Sequence, residues 1–166
     1  MMKHIVYSNK QLTFLVILRM AIGWYILYQG LVKYFDPFWS AESFLLNSTW
    51  IFSGLFIAMA ESPFWLKVVD FLNIYGQLAI GLGLILGLFT KAATIAALIM
   101  ISLFYLAYPP LASYAPQGVE VIVNPLLIII FSLFVLLVFP TGKIIGIDRL
   151  IAKKTSKKRS KVLSVS

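Results

Sequence analysis

Apolar positions in this chain fall in four long runs, Leu12 to Tyr34, Leu66 to Phe89, Ala92 to Tyr108 and Val121 to Phe139, parted by short polar breaks. At ~1.5 Å of rise per residue, each run approaches or exceeds the ~17 to 25 residues that a helix needs to cross a ~30 Å hydrocarbon core. The pattern predicts an all-α integral membrane protein: a bundle of four transmembrane helices over residues 12–150, with a cytoplasmic leader at 1–11 and a basic cytoplasmic tail at 151–166. The loop from Asp36 to Pro63 carries a further apolar stretch, Thr49 to Ala60, too short to span and too apolar to be solvated. It predicts an extra interfacial or re-entrant helix over the outer mouth of the bundle, with Trp39, Trp50, Phe64 and Trp65 at headgroup level. The second external loop, with Pro109, Pro110, Pro116 and Gly118, reads as a rigid connector.

Composition and charge sharpen this picture. A hydrophobic content of 61% leaves too little polar side chain to cover a soluble chain of 166 residues. Lys3 and Lys10 precede the first run, Lys91 lies between the second and third, and eight Lys or Arg follow the fourth, from Lys143 to Lys161. The positive-inside rule places all of these, and both termini, in the cytoplasm of a cell whose inner membrane the chain crosses. The net charge of +8 resides mostly after Pro140, so its expected partner is anionic lipid and not nucleic acid. Cysteine is absent, which excludes a thiol relay, a thiolate metal site and an internal disulfide. The single histidine, His4, stands alone in the leader, and no metal is expected.

The buried polar residues are the candidates for chemistry. Arg19 lies in the inner half of the first run, ~6 Å from its midpoint, where a guanidinium costs at least ~2.5 kcal/mol on insertion scales. It either snorkels to headgroups, caps carbonyls, or binds something. Asp70, Asn73 and Gln77 form one stripe on the second helix, and Gln29 and Lys33, at i and i+4, a polar patch on the first. Together they suggest a cavity that opens outward and recognises an anion or a quinone head, with Tyr25, Tyr28, Tyr75 and Tyr105 available to line it. The competing reading is interhelical hydrogen bonding that holds the bundle together. Ala79, Gly83 and Gly87 repeat every four residues, a small-residue stripe for close helix packing within the bundle or in a homodimer, and Gly23 and Gly30 serve the same purpose on the first helix. Asn124, followed by Pro125, reads as an N-cap before a proline at the first helical position, with a ligand role as the alternative. Asp148 reads as the cap of a short amphipathic turn that anchors the chain after Pro140.

The order of these landmarks also resembles a family. Leu18-Arg19, Gly23-Trp24, the run Gln29 to Lys33, the run Gly76-Gln77 to Thr90-Lys91, then Asn124 and Gly146-Ile147-Asp148-Arg149 look like the DoxX/DoxD family of four-helix membrane proteins, from about Leu12 to Leu150. The long Trp-containing loop and the segment from Gly118 to Asn124 are closer to the DoxD branch, which is similar to the membrane subunit of thiosulfate:quinone oxidoreductase. The resemblance implies thiosulfate oxidised to tetrathionate, electrons passed to membrane quinone, and Arg19, Gln29, Lys33, Gln77 and Asn124 as matching polar positions, with Asn73 beside them on the polar stripe. Many relatives carry an acid where this chain has Gln77, which removes a possible proton acceptor. With no cysteine, metal-ligand cluster or nucleotide-phosphate motif, such a chain would juxtapose reactants or work with a second oxidoreductase subunit. The other classes are a non-catalytic scaffold, or a quinone- or lipid-binding subunit, of another membrane complex, and a small-solute transporter; the lack of a clear inverted repeat counts against the last.

Overall fold

A computed structural model describes residues 8–108 and 123–153. Among these every regular element is helical. Helix α1 spans Asn9–Phe35, the short α2 Glu42–Leu46 and α3 Ser53–Glu61. Helix α4 spans Pro63–Leu86, α5 Thr90–Ala107 and α6 Pro125–Val138. Helices α1, α4 and α5 are long and apolar enough to cross a membrane, while α6 is apolar but only 14 residues long. The second external loop, the leader with His4 and the Lys/Arg-dense end of the tail lie outside the described residues.

Helix boundaries follow from local chemistry. Ser8 and Gln11 form a capping box at the start of α1, each side chain accepting from the other residue's backbone N–H. Asn124 caps α6, accepting from the Leu127 N–H at 3.0 Å, and Pro125 occupies the first turn, where its missing donor is no loss. Helix α4 ends at Gly87, whose φ of 67° only glycine adopts without strain, and the Leu88 N–H returns to Gly83 O. Three residues, Gly87, Leu88 and Phe89, are all the sequence leaves before α5.

The four long helices run up and down, α1 packing on α4, α4 on α5, α5 on α6, and α6 back on α1. In lipid the apolar effect does not drive helices together, so close van der Waals contact must. Glycines supply it: a methyl group at Gly81 would fall 2.7 Å from Leu27 Cα, and Gly23 and Gly30 of α1 abut Leu84 and Gln77. The face of α4 against α1 is therefore the one through Gln77, Gly81 and Leu84. The four-residue stripe read from the sequence serves elsewhere. Gly83 meets Ala93 of α5, Gly87 meets Gly146, and Ala79 is exposed. Ile26, Leu84, Ala97 and Leu133 make the innermost layer, while Phe14, Trp24, Phe131 and Phe134 point outward. An outward apolar girdle is solvated by a bilayer and not by water, which fits a membrane-embedded protein.

Two helices, and not one, fill the first long loop. Helices α2 and α3 cover one end of the bundle, called here the cap end, with a small core of Ala41, Leu45, Phe56 and Ala60 that reaches Ala107 of α5. Asp70 of α4 fastens this cap, accepting from the Ala41 N–H at 2.7 Å and the Ser40 hydroxyl at 3.1 Å. The opposite end, where α1 begins and α4 gives way to α5, is the tail end.

Candidate functional site

One face of α1 holds Arg19, Gly23, Ile26, Gly30 and Lys33, spaced by four, three, four and three residues. This spacing keeps them in one stripe, and the stripe is the seam with α4. A cation therefore stands at each end of the seam, separated by ~21 Å of helix. The two are treated differently by their surroundings.

At the cap end, Lys33 Nζ donates to Asn73 Oδ1 at 3.2 Å and lies 4.7 Å from the centroid of the Trp39 ring and 5.4 Å from that of Phe104. Its described partners are thus an amide and two aromatic faces, none of which carries charge. Asn73 is oriented by donating its own amide N–H to Val69 O. One turn deeper, Gln77 is 97% buried against Gly30, and its Oε1 lacks a hydrogen-bond partner among the described residues. A π-helical turn over Leu72–Gly76 separates Asn73 from Gln77. Such insertions widen a helix locally and concentrate at functional sites. Gln29 is half-buried on α1 in the same half of the bundle. Asp70, the outermost residue of the expected stripe, is committed to the cap, as described above.

At the tail end, Arg19 is only 4% exposed. Its Nη1 donates to Thr141 Oγ1 at 3.0 Å and to Ile145 O at 2.9 Å, tying α1 to the reversal of chain that follows α6. The same reversal carries Asp148 to the start of α5. There Oδ1 accepts from the Phe89 N–H at 2.7 Å, and Oδ2 accepts from the Thr90 N–H at 2.9 Å and the Thr90 hydroxyl at 2.7 Å. Asp148 therefore caps α5 from ~60 residues away, and its own N–H returns to Gly87 O. That corrects the reading of Asp148 as the cap of its own local turn. Burial alone would push the Asp148 carboxyl up, but the Thr90 and Phe89 hydrogen bonds and the Arg19 charge outweigh it and hold the pKa below its ordinary value. Phe89 is held at a φ of 47°, unusual for a bulky residue. A methyl group on Gly87 or Gly146 would strike the other's backbone, and one on Gly142 would strike Thr90. The cavity beside Arg19 measures about 10 Å³, the scale of one water molecule and far below a quinone head.

The residues expected from the sequence therefore fall into two groups. Lys33 and Asn73 touch, and Gln77 lies beneath them. Arg19 belongs to a separate knot, and Asn124 spends its side chain on the cap of α6. Tyr25, Tyr28 and Tyr75 are exposed on the bundle surface. Sequence reasoning missed Trp39 as a partner of Lys33, and Thr90 and Thr141 as partners of the knot. The one available signal was the pairing of two short glycine-containing polar segments, Gly87 to Lys91 and Thr141 to Arg149, at the same end of the bundle. No family model, curated protein or solved structure matches this chain.

Proposed function

We propose that this chain is a four-span protein of the DoxX/DoxD kind that acts as the membrane subunit of a quinone-linked oxidoreductase, with its ligand site at the cap end. The observation that carries the reading is Lys33, a half-buried ammonium whose described partners are an amide oxygen and two aromatic rings. A cation kept without a carboxylate is available to an incoming oxygen acceptor. In this reading the cap end faces outward, since the basic segments gather at the other end, and α6 crosses despite its length by local thinning of the bilayer.

Two ligand classes suit these groups. An oxyanion such as thiosulfate would meet Lys33 from the outer mouth. A quinone head fits in donor chemistry: a carbonyl oxygen accepts from Lys33 Nζ, and the reduced hydroxyl donates to Gln77 Oε1, ~5 Å deeper along the helix. A bound quinone supplies the acceptor for two electrons. The chain's own residues bind and orient: Asn73 positions the ammonium, the Trp39 and Phe104 rings exclude water, and Gln77 marks the floor. Joining two thiosulfates through a new S–S bond releases two electrons, and a second subunit would relay them. Arg19 and Asn124 are assigned structural roles in this proposal.

The test is thiosulfate-dependent quinone reduction in membranes with and without the chain, with Lys33→Met and Gln77→Leu variants that insert normally, alongside quinone retained on purification. Activity that requires the chain and falls in both variants supports the reading. Retained quinone without thiosulfate activity narrows it to quinone binding. Neither activity nor quinone, even with co-expressed membrane subunits, overturns it in favour of a non-catalytic scaffold.

A further inference from the structure

The surface of the tail end carries a feature that neither the quinone reading nor the Arg19 knot uses. After the reversal that follows α6, residues 147–153 form a short helical segment. Its second residue, Asp148, faces inward, held by the Phe89 and Thr90 N–H groups and the Thr90 hydroxyl, while its own N–H donates to Gly87 O at 2.9 Å. At ~100° per residue, Arg149, Leu150 and Lys153 fall on the side away from Asp148. All three are exposed, Leu150 at 65%. Arg149 donates one N–H to Ile144 O at 3.4 Å and stays exposed.

Charge around this segment has one sign. Lys10 in the first turn of α1, Lys91 in the first turn of α5 and Lys143 just after α6 are exposed at the same end of the bundle. Asp148 is the only described acid there, and both of its oxygens are engaged. The cap end has the opposite balance, with Asp36, Glu42 and Glu61 exposed against Lys67. From Arg149 to Lys161 the sequence holds seven cations and no acid. An exposed leucine between cations is matched neither by water alone nor by hydrocarbon alone, but by the boundary where acyl chains meet anionic headgroups.

We infer that the segment 147–153 lies in the plane of the leaflet at the tail end and binds anionic phospholipid, with Leu150 at the acyl boundary and Arg149 and Lys153 on the headgroups. Asp148 ties the start of the segment to the turn between α4 and α5, and Thr141 and Ile145 just before it accept from Arg19. Lipid that holds the segment therefore also holds the junction of α1, α5 and the chain after α6, and stabilises the bundle by binding the folded state. The inference stands apart from the quinone reading, since it uses different residues at the opposite end of the bundle, and either can fail alone.

The chain has no cysteine, so Leu150→Cys provides a single site for a nitroxide label. The test is the label's accessibility to oxygen and to an aqueous nickel chelate, in the full chain in nanodiscs of phosphatidylcholine, with or without phosphatidylglycerol. The expected result is exposure to oxygen and protection from the chelate in the anionic bilayer, and a shift toward the chelate in the zwitterionic one or at high salt. Arg149→Gln with Lys153→Gln should produce the same shift in anionic lipid, each cation strengthening attachment ~5-fold. Equal accessibility in the two bilayers would overturn the inference. Protection that survives the double substitution would overturn it as well, and assign attachment to the basic residues after Lys153. The Tm of the unlabelled chain reads the coupling to the bundle: a rise in anionic lipid that the double substitution removes supports it, and equal values in both lipids overturn it.

Discussion

Arg19 and Lys33 share one face of one helix, yet the molecule uses them in opposite ways. Around Arg19 the acceptors are a threonine hydroxyl and a backbone carbonyl, both supplied by the chain after α6, with Asp148 close enough to feel the charge. Around Lys33 they are a primary amide and two rings, and no described carboxylate shares the contact. A buried cation is thus a fastener when backbone and hydroxyl groups close around it, and a candidate receptor when its partners are neutral and rotatable. The difference lies in the partners as well as in burial, which is nearly complete for Arg19 and partial for Lys33.

The comparison breaks if damage at the tail end passes to the cap end. Gly87→Val is the severest change available, because it combines a left-handed backbone with a clash against Gly146 Cα at 2.6 Å. It should destabilise the fold by ~3 kcal/mol or more, measured as yield of inserted protein and as Tm. Any folded fraction should keep its affinity at Lys33, and a parallel loss of binding would show the two ends to be coupled. Next in size, Asp148→Ala removes the cap from α5 and should cost ~1 to 2 kcal/mol in denaturant unfolding without changing ligand affinity. Lys33→Met has the opposite profile. Binding of an oxyanion or quinone should weaken ~10-fold or more, while Tm stays nearly constant; a large fall in Tm would make Lys33 a second fastener.

Two smaller effects sharpen the tail-end account. The Asp148 carboxyl has a folded pKa below its ordinary 3.8, so the unfolded chain takes up its proton first as pH falls. Its contribution to stability is therefore complete above the ordinary value and is lost as pH drops through the folded one. Asp148→Asn should remove this acid-side fall from a plot of Tm against pH, and an unchanged slope would assign it to other carboxylates. Last, Phe89→Gly should relieve the left-handed φ of 47° while sacrificing little packing, since the ring is 66% exposed. A gain of ~0.5 kcal/mol is expected, and a loss would mean that the ring is needed where it lies.

Much of the fold was legible in the chain itself. The apolar runs place all four long helices to within a few residues at the ends described, and the Asn124-Pro125 pair marks where α6 starts. The first loop was less legible: one apolar stretch was readable, but α2 was not, because Glu42 to Leu46 is too short to show a period. The small-residue stripe through Ala79, Gly83 and Gly87 signalled close packing without naming its partners, and two of its three residues pack within the chain, Gly83 on Ala93 and Gly87 on Gly146. Gly81, off that stripe, is the residue that lets α1 approach, and only the rotation of α4 about its axis reveals it. The candidate site was half legible. Lys33, Asn73 and Gln77 were named from helical spacing on two separate helices, whereas Trp39 and Phe104 come from a loop and a third helix.

What the sequence determined by itself is the class of molecule: apolar runs of spanning length, charge gathered at one end, and a few polar side chains too costly to be buried without partners. These are local or additive properties, and each can be summed along a chain. What only the tertiary structure decided is which partner each costly residue meets. Asp148 caps a helix whose first residue lies 58 positions earlier, and Arg19 is closed by a threonine 122 positions later. Such pairings depend on the rotation and register of packed helices, set by a few glycine contacts such as Gly81 on Leu27, and those contacts leave no period to be read along the chain.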